Sequence, residues 1–169
     1  MVYSPQKIVW KGVRSAVPKA TGIKQMAANR KAFHDYYVLE RFEAGIELAG
    51  TEVKSIRAGA LNLKDAYCAV RDGEIFVRGM RISPYETGNI FNRAPVRPRR
   101  LLMHKREIRK LAAAAAQDGA ALVPRSVYFK DSRVKVEVGL CKGKKLYDKR
   151  ETDAKRQAAR DIERSLKNY

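Results

Sequence analysis

The chain has 169 residues, of which 36 are Lys or Arg and 18 are Asp or Glu, so its formal charge is +18. This length favours one domain with extensions over two full domains. The charge is far from the balance of an ordinary cytosolic enzyme and indicates a polyanionic partner, RNA or DNA, bound in a salt-dependent way. Charge kept only for solubility is the alternative.

Membrane, export and metal-site signals are missing from the sequence. It has no run of 18 apolar residues and no apolar core in its first ten, so we expect no membrane span or export signal and a cytoplasmic protein. Cys68 and Cys141 lie far apart and outside any CxxC pair. This spacing predicts two reduced, half-buried thiols rather than a disulfide or metal site. We expect no cofactor.

The first segment, residues 1–28, is mixed in composition and interrupted by Pro5, Gly12, Pro18 and Gly22. Nothing in it buries a face periodically, so we predict a mobile arm. Its basic residues either touch RNA loosely or form a solvated leader.

A barrel domain is predicted over residues 29–142. Residues 36–39 are aromatic or branched and predict a first strand, and the alternation at 46–48 predicts a second. Two hairpins follow from turn pairs: an Asp-Gly pair at 72–73, which tolerates a type I′ turn, and an Asp-Ser pair at 131–132.

The barrel is organised around a strand, short helix and strand at residues 42–67. Thr51 is the predicted N-cap of the helix, Glu52 favours its positive end, and Gly59 ends it. Val53 and Ile56 give the helix one apolar side, so we expect it to plug the barrel.

Residues 83–100 form a long predicted loop that leads into a helix carrying Leu101, Ile108 and Leu111 and stopping at Gly119. The predicted fold is therefore mainly β, an OB-like six-stranded antiparallel barrel with short helices. Such a fold does not by itself establish a function.

The C-terminal tail, residues 143–169, changes character. Residues 139–169 hold ten basic and five acidic residues and little apolar mass. Two i, i+4 Glu–Lys pairs support a helix there, whereas Arg156, Arg160 and Arg164 repel one another on one face. The tail is either disordered or helical, and we predict that it is disordered in free solution and folds against phosphates.

The sequence contains few residues suited to a catalytic site. His34 and His104 are an acid/base pair for RNA cleavage only if the fold brings them together across seventy residues. The basic segment at residues 29–34 mixes charge, amide and ring groups suited to RNA backbone and unstacked bases. A solvated strand edge is the alternative for that segment.

Six blocks of the sequence are long and chemically unlike one another: NRKAFHDY, FEAGIELAGTEVKSIRAG, LNLKDAY, RISPY, RPRRLLMHKREI and GKKLYDKR. In order and spacing they resemble the SsrA-binding protein (SmpB) family, from about Asn29 to Arg150. The resemblance implies a six-stranded OB-like barrel with three helices and no catalytic activity.

The resemblance also implies a role in trans-translation. The family binds the tRNA-like domain of transfer-messenger RNA (tmRNA, SsrA) and delivers it, with elongation factor Tu bound through the RNA, to stalled ribosomes. The tail then becomes helical in the decoding centre and mRNA channel, against small-subunit rRNA. A structural ribosomal protein or a general RNA chaperone is the alternative, and a membrane-surface tail is disfavoured by its thin Ala-rich stripe.

Site residues follow from the motifs of that family. The implied RNA contacts of the barrel are Asn29, Lys31, His34, Glu43, Leu102 and Lys135. The implied ribosome contacts of the tail are Lys142, Lys144, Lys145, Tyr147, Asp148, Lys149 and Arg150. Leu102 is a core residue in the alternative interpretation. The sequence departs from the family pattern at Phe33, Ala94 and Tyr147, which puts a phosphate contact, a turn cap and a pH-linked contact in doubt.

Overall fold

The computed structural model describes residues 22–117 and 119–167. In chain order the elements are β1 (Ile23–Ala28), α1 (Arg30–Asp35), β2 (Tyr36–Ile46), α2 (Gly50–Arg57), β3 (Leu61–Asn62), β4 (Tyr67–Arg71), β5 (Glu74–Arg78), β6 (Arg81–Ile82), a 3-10 turn (Asn89–Phe91), β7 (Arg99–Leu102), α3 (Lys105–Gln117), β8 (Ala121–Lys130), β9 (Arg133–Gly143) and α4 (Leu146–Lys167).

Six strands form a closed antiparallel ring. The sheet order is β1-β8-β4-β5-β7-β2-β9, and β8 also pairs with β9, which closes the barrel. β1 pairs with β8 outside this ring, while β3 and β6 form a separate small sheet. Within residues 22–117 and 119–167, the predicted six-stranded barrel with three helices before the tail is confirmed.

The core lies inside the ring and under two helices. Ile75, Leu101 and Val138 are fully buried from the strands, and α2 and α3 add Ile56 and Leu111. Each such side chain contributes about 1.5–3 kcal/mol on burial, so these apolar contacts help to hold both helices on the barrel.

The start of the barrel differs from the prediction. Residues 23–28, predicted to belong to a mobile arm, form β1, while the rest of that arm up to residue 21 lies outside the described residues. Residues 30–35 form the unpredicted helix α1. The predicted second strand at 46–48 is wrong, because β2 is one strand of 11 residues that ends at Ile46.

The predicted N-cap of α2 is also wrong. The helix begins at Gly50 after Ala49, and the Ala49 N–H donates to Glu52 Oε2 at 2.8 Å. A carboxylate inside the first turn thus replaces the hydroxyl cap. Thr51 instead donates its hydroxyl to the Phe91 carbonyl at 3.2 Å. The helix ends before Gly59, whose φ of 81° confirms the predicted stop.

Both predicted hairpins are confirmed. Asp72 and Gly73 have φ values of 52° and 72°, and Asp131 and Ser132 have φ values of 49° and 66°. Positive φ at both turn residues matches the right-handed twist of the strands that each turn joins.

A buried ion cluster ties the loop at residues 83–98 to α2. Arg99 Nε donates to Glu52 Oε1 at 2.9 Å, and Arg97 donates to Glu52 Oε2 at 2.6 Å. Arg99 is fully buried, and Glu52 nearly so. Leu101 follows in β7 rather than in the helix predicted to carry it, and α3 begins only at Lys105.

Cys68 and Cys141 are free thiols and are buried rather than half-buried. Burial raises the pKa of both thiols. Among the described residues, no helix is both long and apolar enough to cross a membrane. Within the same residues, no three His, Cys, Asp or Glu side chains are grouped in a way that could hold a metal ion.

Candidate nucleic-acid interface

Helix α1 is built on Asn29, which is buried. Its Oδ1 accepts the Ala32 N–H at 3.1 Å, and its Nδ2 donates to the Pro124 carbonyl at 3.3 Å. Its own backbone N–H donates to the Arg125 carbonyl at 2.7 Å. The Asn29 side chain therefore caps α1 and fixes it to β8, a role that its sequence position did not reveal.

Lys31 and His34 project from the helix that Asn29 fixes. Lys31 Nζ is exposed and donates to Asp65 Oδ1 at 2.6 Å, and this hydrogen bond raises the pKa of Lys31. His34 Nδ1 lies 2.8 Å from Asp35, and its Nε2 lies 2.9 Å from Asp153. The hydrogen bond with Asp153, followed by that with Asp35, raises the pKa of His34 above its ordinary value.

The tail begins against α1. The Lys144 N–H donates to the Asp35 carbonyl at 2.9 Å, and Lys149 Nζ lies 3.3 Å from the Asp35 carboxylate. Lys144 Nζ lies 4.9 Å from the centre of the Tyr37 ring. These contacts and that of Asp153 are polar, so the first turns of α4 are held to the barrel by charge rather than by a core.

The predicted tail residues lie at the end of β9 and in the first turns of α4, close to α1. Lys142 pairs with Tyr37 at the end of β9, and Asp148 accepts the Lys145 N–H at 3.3 Å, which caps α4. Tyr147 and Arg150 are exposed. Within the described part of the tail, no side chain of α4 is buried. The tail is helical here, and its disorder in free solution stays a prediction.

A second group surrounds a surface groove of about 550 Å³. Glu43, Leu102 and Lys135 line it, together with Arg100 and His104. Leu102 is 51% exposed, so its interpretation as a core residue is wrong. Its side chain covers Gly45, where an added Cβ would lie 3.2 Å from the Cβ of Leu102.

Glu43 is the acidic residue among the predicted barrel contacts, and Glu74 and Glu107 also line this groove. The Tyr128 hydroxyl donates to its Oε2 at 2.6 Å, and Lys130 Nζ lies 3.2 Å from both carboxylate oxygens. The hydrogen bond from Tyr128 lowers the pKa of Glu43 despite partial burial, and Lys130 lowers it further. Glu43 is thus ionised at neutral pH and fixes the positions of a phenol and an ammonium group.

The six predicted barrel residues therefore fall into two groups. Asn29, Lys31 and His34 lie before the first residue of β2, whereas Glu43 lies near its last, roughly 20–25 Å away at 3.3 Å per residue. His104 belongs to the groove and His34 to the other group, so the two histidines do not form an acid/base pair.

Sequence reasoning missed several partners of these residues. Tyr128 and Lys130 flank Glu43, and Asp65 and Asp153 hold the basic groups near α1. Ser126, Tyr128 and Lys130 alternate along β8, which places their side chains on one face of the strand, and this period of two is the sequence signal that could have found them.

The structure accounts for two of the three departures from the family pattern, those at Phe33 and Ala94. The Phe33 ring lies 4.3 Å from the guanidinium carbon of Arg125, a cation–π contact. Arg125 is buried and also donates to Glu137 at 3.2 Å. At Ala94, the backbone carbonyl accepts the Arg97 N–H at 3.3 Å, so this turn closes without a side-chain cap.

Comparisons with known proteins agree with one another. The family model described as SmpB protein matches residues 26–168. An SsrA-binding protein of Acetivibrio thermocellus is 60% identical over 142 residues, which cover 84% of this chain and 92% of that protein. An SsrA-binding protein of Carboxydothermus hydrogenoformans is 57% identical over 144 residues, which cover 85% of this chain and 97% of that protein.

A solved structure extends this likeness to the fold. One of its chains is 45% identical with a TM-score of 0.61, and the match covers 71% of this chain and 85% of that one. That structure is described as "tmRNA-SmpB: a journey to the center of the bacterial ribosome". On the family match and these identities, the chain belongs to the SmpB protein family.

Proposed function

We propose that this protein binds the tRNA-like domain of tmRNA and delivers it to stalled ribosomes for trans-translation. The observation that carries the proposal is membership of the SmpB family, whose relatives are named SsrA-binding proteins. The formal charge of +18 supports an RNA partner independently. The protein acts in the cytoplasm as a binding factor without catalysis, and elongation factor Tu joins it through the RNA.

The barrel contributes two RNA-contacting groups. Near α1, Lys31 and His34 offer cationic groups to phosphates, while Asn29 acts by holding the helix in place. In the groove, Lys135 contacts phosphate and the exposed Leu102 packs against a sugar or base. Glu43 accepts from a base amino or imino group, or holds Tyr128 and Lys130 for the RNA.

The tail contributes the ribosomal contact. Residues 142–150 are assigned to the decoding centre, where Tyr147 stacks on an exposed rRNA base. The 22 residues of α4 span about 33 Å at 1.5 Å per residue. A cationic helix of this length, unburied along its described residues, is suited to a channel lined by phosphates.

A gel-shift titration tests the proposal. At physiological salt we expect at least about tenfold tighter binding to tmRNA than to an unstructured RNA of equal length, or about 1.4 kcal/mol. Equal affinity for the two RNAs would contradict it. Stable cosedimentation with ribosomes that are not stalled would instead support a structural ribosomal protein or an RNA chaperone.

A further inference from the structure

The tip of the 83–98 loop exposes two adjacent large apolar side chains. Ile90 is 88% exposed and Phe91 72%. Val96, which is 51% exposed, lies five residues after Phe91 and is not part of this pair. Single exposed apolar residues are ordinary, but adjacent ones on one loop mark an interaction surface. Neither RNA-contacting group described above includes them.

This tip is held in one conformation. Asn92 accepts the Tyr85 N–H and donates to the Tyr85 carbonyl, both at 2.9 Å. Gly88 fits beneath Asn92, because an added Cβ would lie 2.5 Å from Asn92 Oδ1. Asn89 has a φ of 43°, an uncommon conformation that the surrounding contacts maintain. Because these contacts already order the loop, little conformational entropy would be lost when the apolar side chains bind a partner.

Hydrogen bonds from α2 and β7 also attach the loop to the barrel. Thr51 donates to the Phe91 carbonyl at 3.2 Å, and Arg99 donates to the Pro95 carbonyl at 3.0 Å. Since Arg99 is buried in the cluster with Glu52, the base of the loop is anchored to the core side of α2. Hydrogen bonds thus constrain the loop at both its tip and its base.

The charges near the tip favour an anionic partner. Lys54 lies one helical turn after Thr51 and places Nζ 5.4 Å from the centre of the Tyr85 ring. Arg93, two residues after Phe91, is exposed. The exposed acid in this part of the loop is Glu86. Aromatic surface beside two cations is the combination that binds unpaired nucleotides.

We propose that Phe91 is a stacking platform for an unpaired RNA base, with Ile90 at its edge and Lys54 and Arg93 facing the adjoining phosphates. The platform adds a third RNA-contacting surface to the two of the barrel, and so rests on the proposed function. An acidic protein with an apolar pocket is the competing occupant. The formal charge of +18 and the absence of a sequence requirement in base stacking favour RNA.

A fluorescent reporter tests the stacking directly. Trp10 is the one tryptophan of the sequence. Phe91→Trp in a Trp10→Phe background therefore gives a single fluorophore at the tip. We expect its emission to be quenched by tmRNA, by small ribosomal subunits or by an unstructured RNA. Quenching by any of the three supports the platform, and quenching by none overturns it.

The choice of RNAs separates this inference from the proposed function. Quenching by unstructured RNA, without preferential binding of tmRNA, would support the platform while the proposed function fails. Preferential tmRNA binding, with no quenching by tmRNA, small subunits or unstructured RNA, would leave the function standing and overturn the platform. A change in emission on deleting residues 1–21, without RNA, would place that segment on the tip and also overturn the platform.

Substitutions at the same position distinguish stacking from apolar contact. With the RNA that quenches most, Phe91→Leu should weaken binding roughly 5- to 150-fold, whereas Phe91→Tyr should stay within about twofold. Val96→Ala on the same loop is the matched control and should change affinity by less than about twofold. Equal losses for the leucine and tyrosine variants would contradict a stacking role, and unchanged thermal melting checks that each variant is folded.

Discussion

His34 Nε2 lies 2.9 Å from both carboxylate oxygens of Asp153, a residue 119 positions later in the chain. The other ring nitrogen lies 2.8 Å from Asp35. When His34 is protonated, both ring nitrogens donate to carboxylates, and the tail helix is joined to α1 through one imidazolium. The proposed function uses the same imidazole as an RNA contact, so under that proposal RNA binding and tail docking would compete for it.

The His34 joint predicts a pH-dependent tail. Protonated His34 stabilises the contact between α4 and α1. Since the two carboxylates raise the pKa of His34, this stabilisation is complete below the ordinary pKa of 6.5 and is lost as pH rises through the raised pKa. We expect Asp153→Asn to lower the pKa of His34 in an NMR titration of its ring protons. The ring resonances of His104, in the groove, are the internal control. A His34 pKa unchanged by the substitution would show that the joint does not form in solution.

The buried cluster predicts a large stability effect at Glu52. Glu52→Ala leaves Arg99 fully buried without its carboxylate, so we expect the free energy of unfolding to fall by about 3–5 kcal/mol. Glu47→Ala is the matched control, because Glu47 pairs with Arg100 at 3.0 Å on the surface, where such pairs contribute about 0–1 kcal/mol. Urea denaturation measures both, and equal losses would contradict the role of burial.

The groove predicts a binding effect at Glu43. Glu43→Ala removes the acceptor of Tyr128 and Lys130, so tmRNA binding should weaken by about 1 kcal/mol, roughly fivefold. Glu40→Ala on the same strand is the control, since Glu40 pairs with Lys110 at 2.7 Å and lies outside the groove. Gel shifts without ribosomes measure both variants. Tighter binding of the Glu43 variant would mean that this carboxylate only repels phosphate.

The two hairpins were predictable because their signals are local. Turn pairs at 72–73 and 131–132 fix positive φ, and strict alternation at 134–140 fixes the buried face of β9. β1 was missed because it is an edge strand with little burial, held by its pairing with β8. α1 has only six residues, too few to show helical periodicity.

The site was only partly predictable from sequence. The family motifs located Glu43 and His34, but their partners are distant in sequence: Tyr128 and Asp153 are 85 and 119 positions away. The N-cap of the two-turn α2 was predicted wrongly, because the side chain that accepts a backbone N–H at its N-terminus is the Glu52 carboxylate rather than a hydroxyl. Long-range pairing decides such contacts, and no local pattern records it.

The tail predicts a division of labour between binding and delivery. Truncation after Gly143 leaves β9 complete, so tmRNA affinity should stay within roughly tenfold, about 1.4 kcal/mol. Tagging of stalled peptides should nevertheless be abolished, because the assigned ribosome contacts are mostly removed. A reconstituted tagging assay measures this, with Asp153→Asn in the full chain as the control that keeps the tail. Normal tagging by the truncated protein would contradict the role of the tail.

The most direct test of the central claim is to identify the RNA that copurifies with the full chain from cells. Sequencing of that RNA should show tmRNA enriched above tRNA and rRNA, with the enrichment falling as salt is raised. Recovery without tmRNA, or with rRNA from ribosomes that are not stalled, would contradict the account.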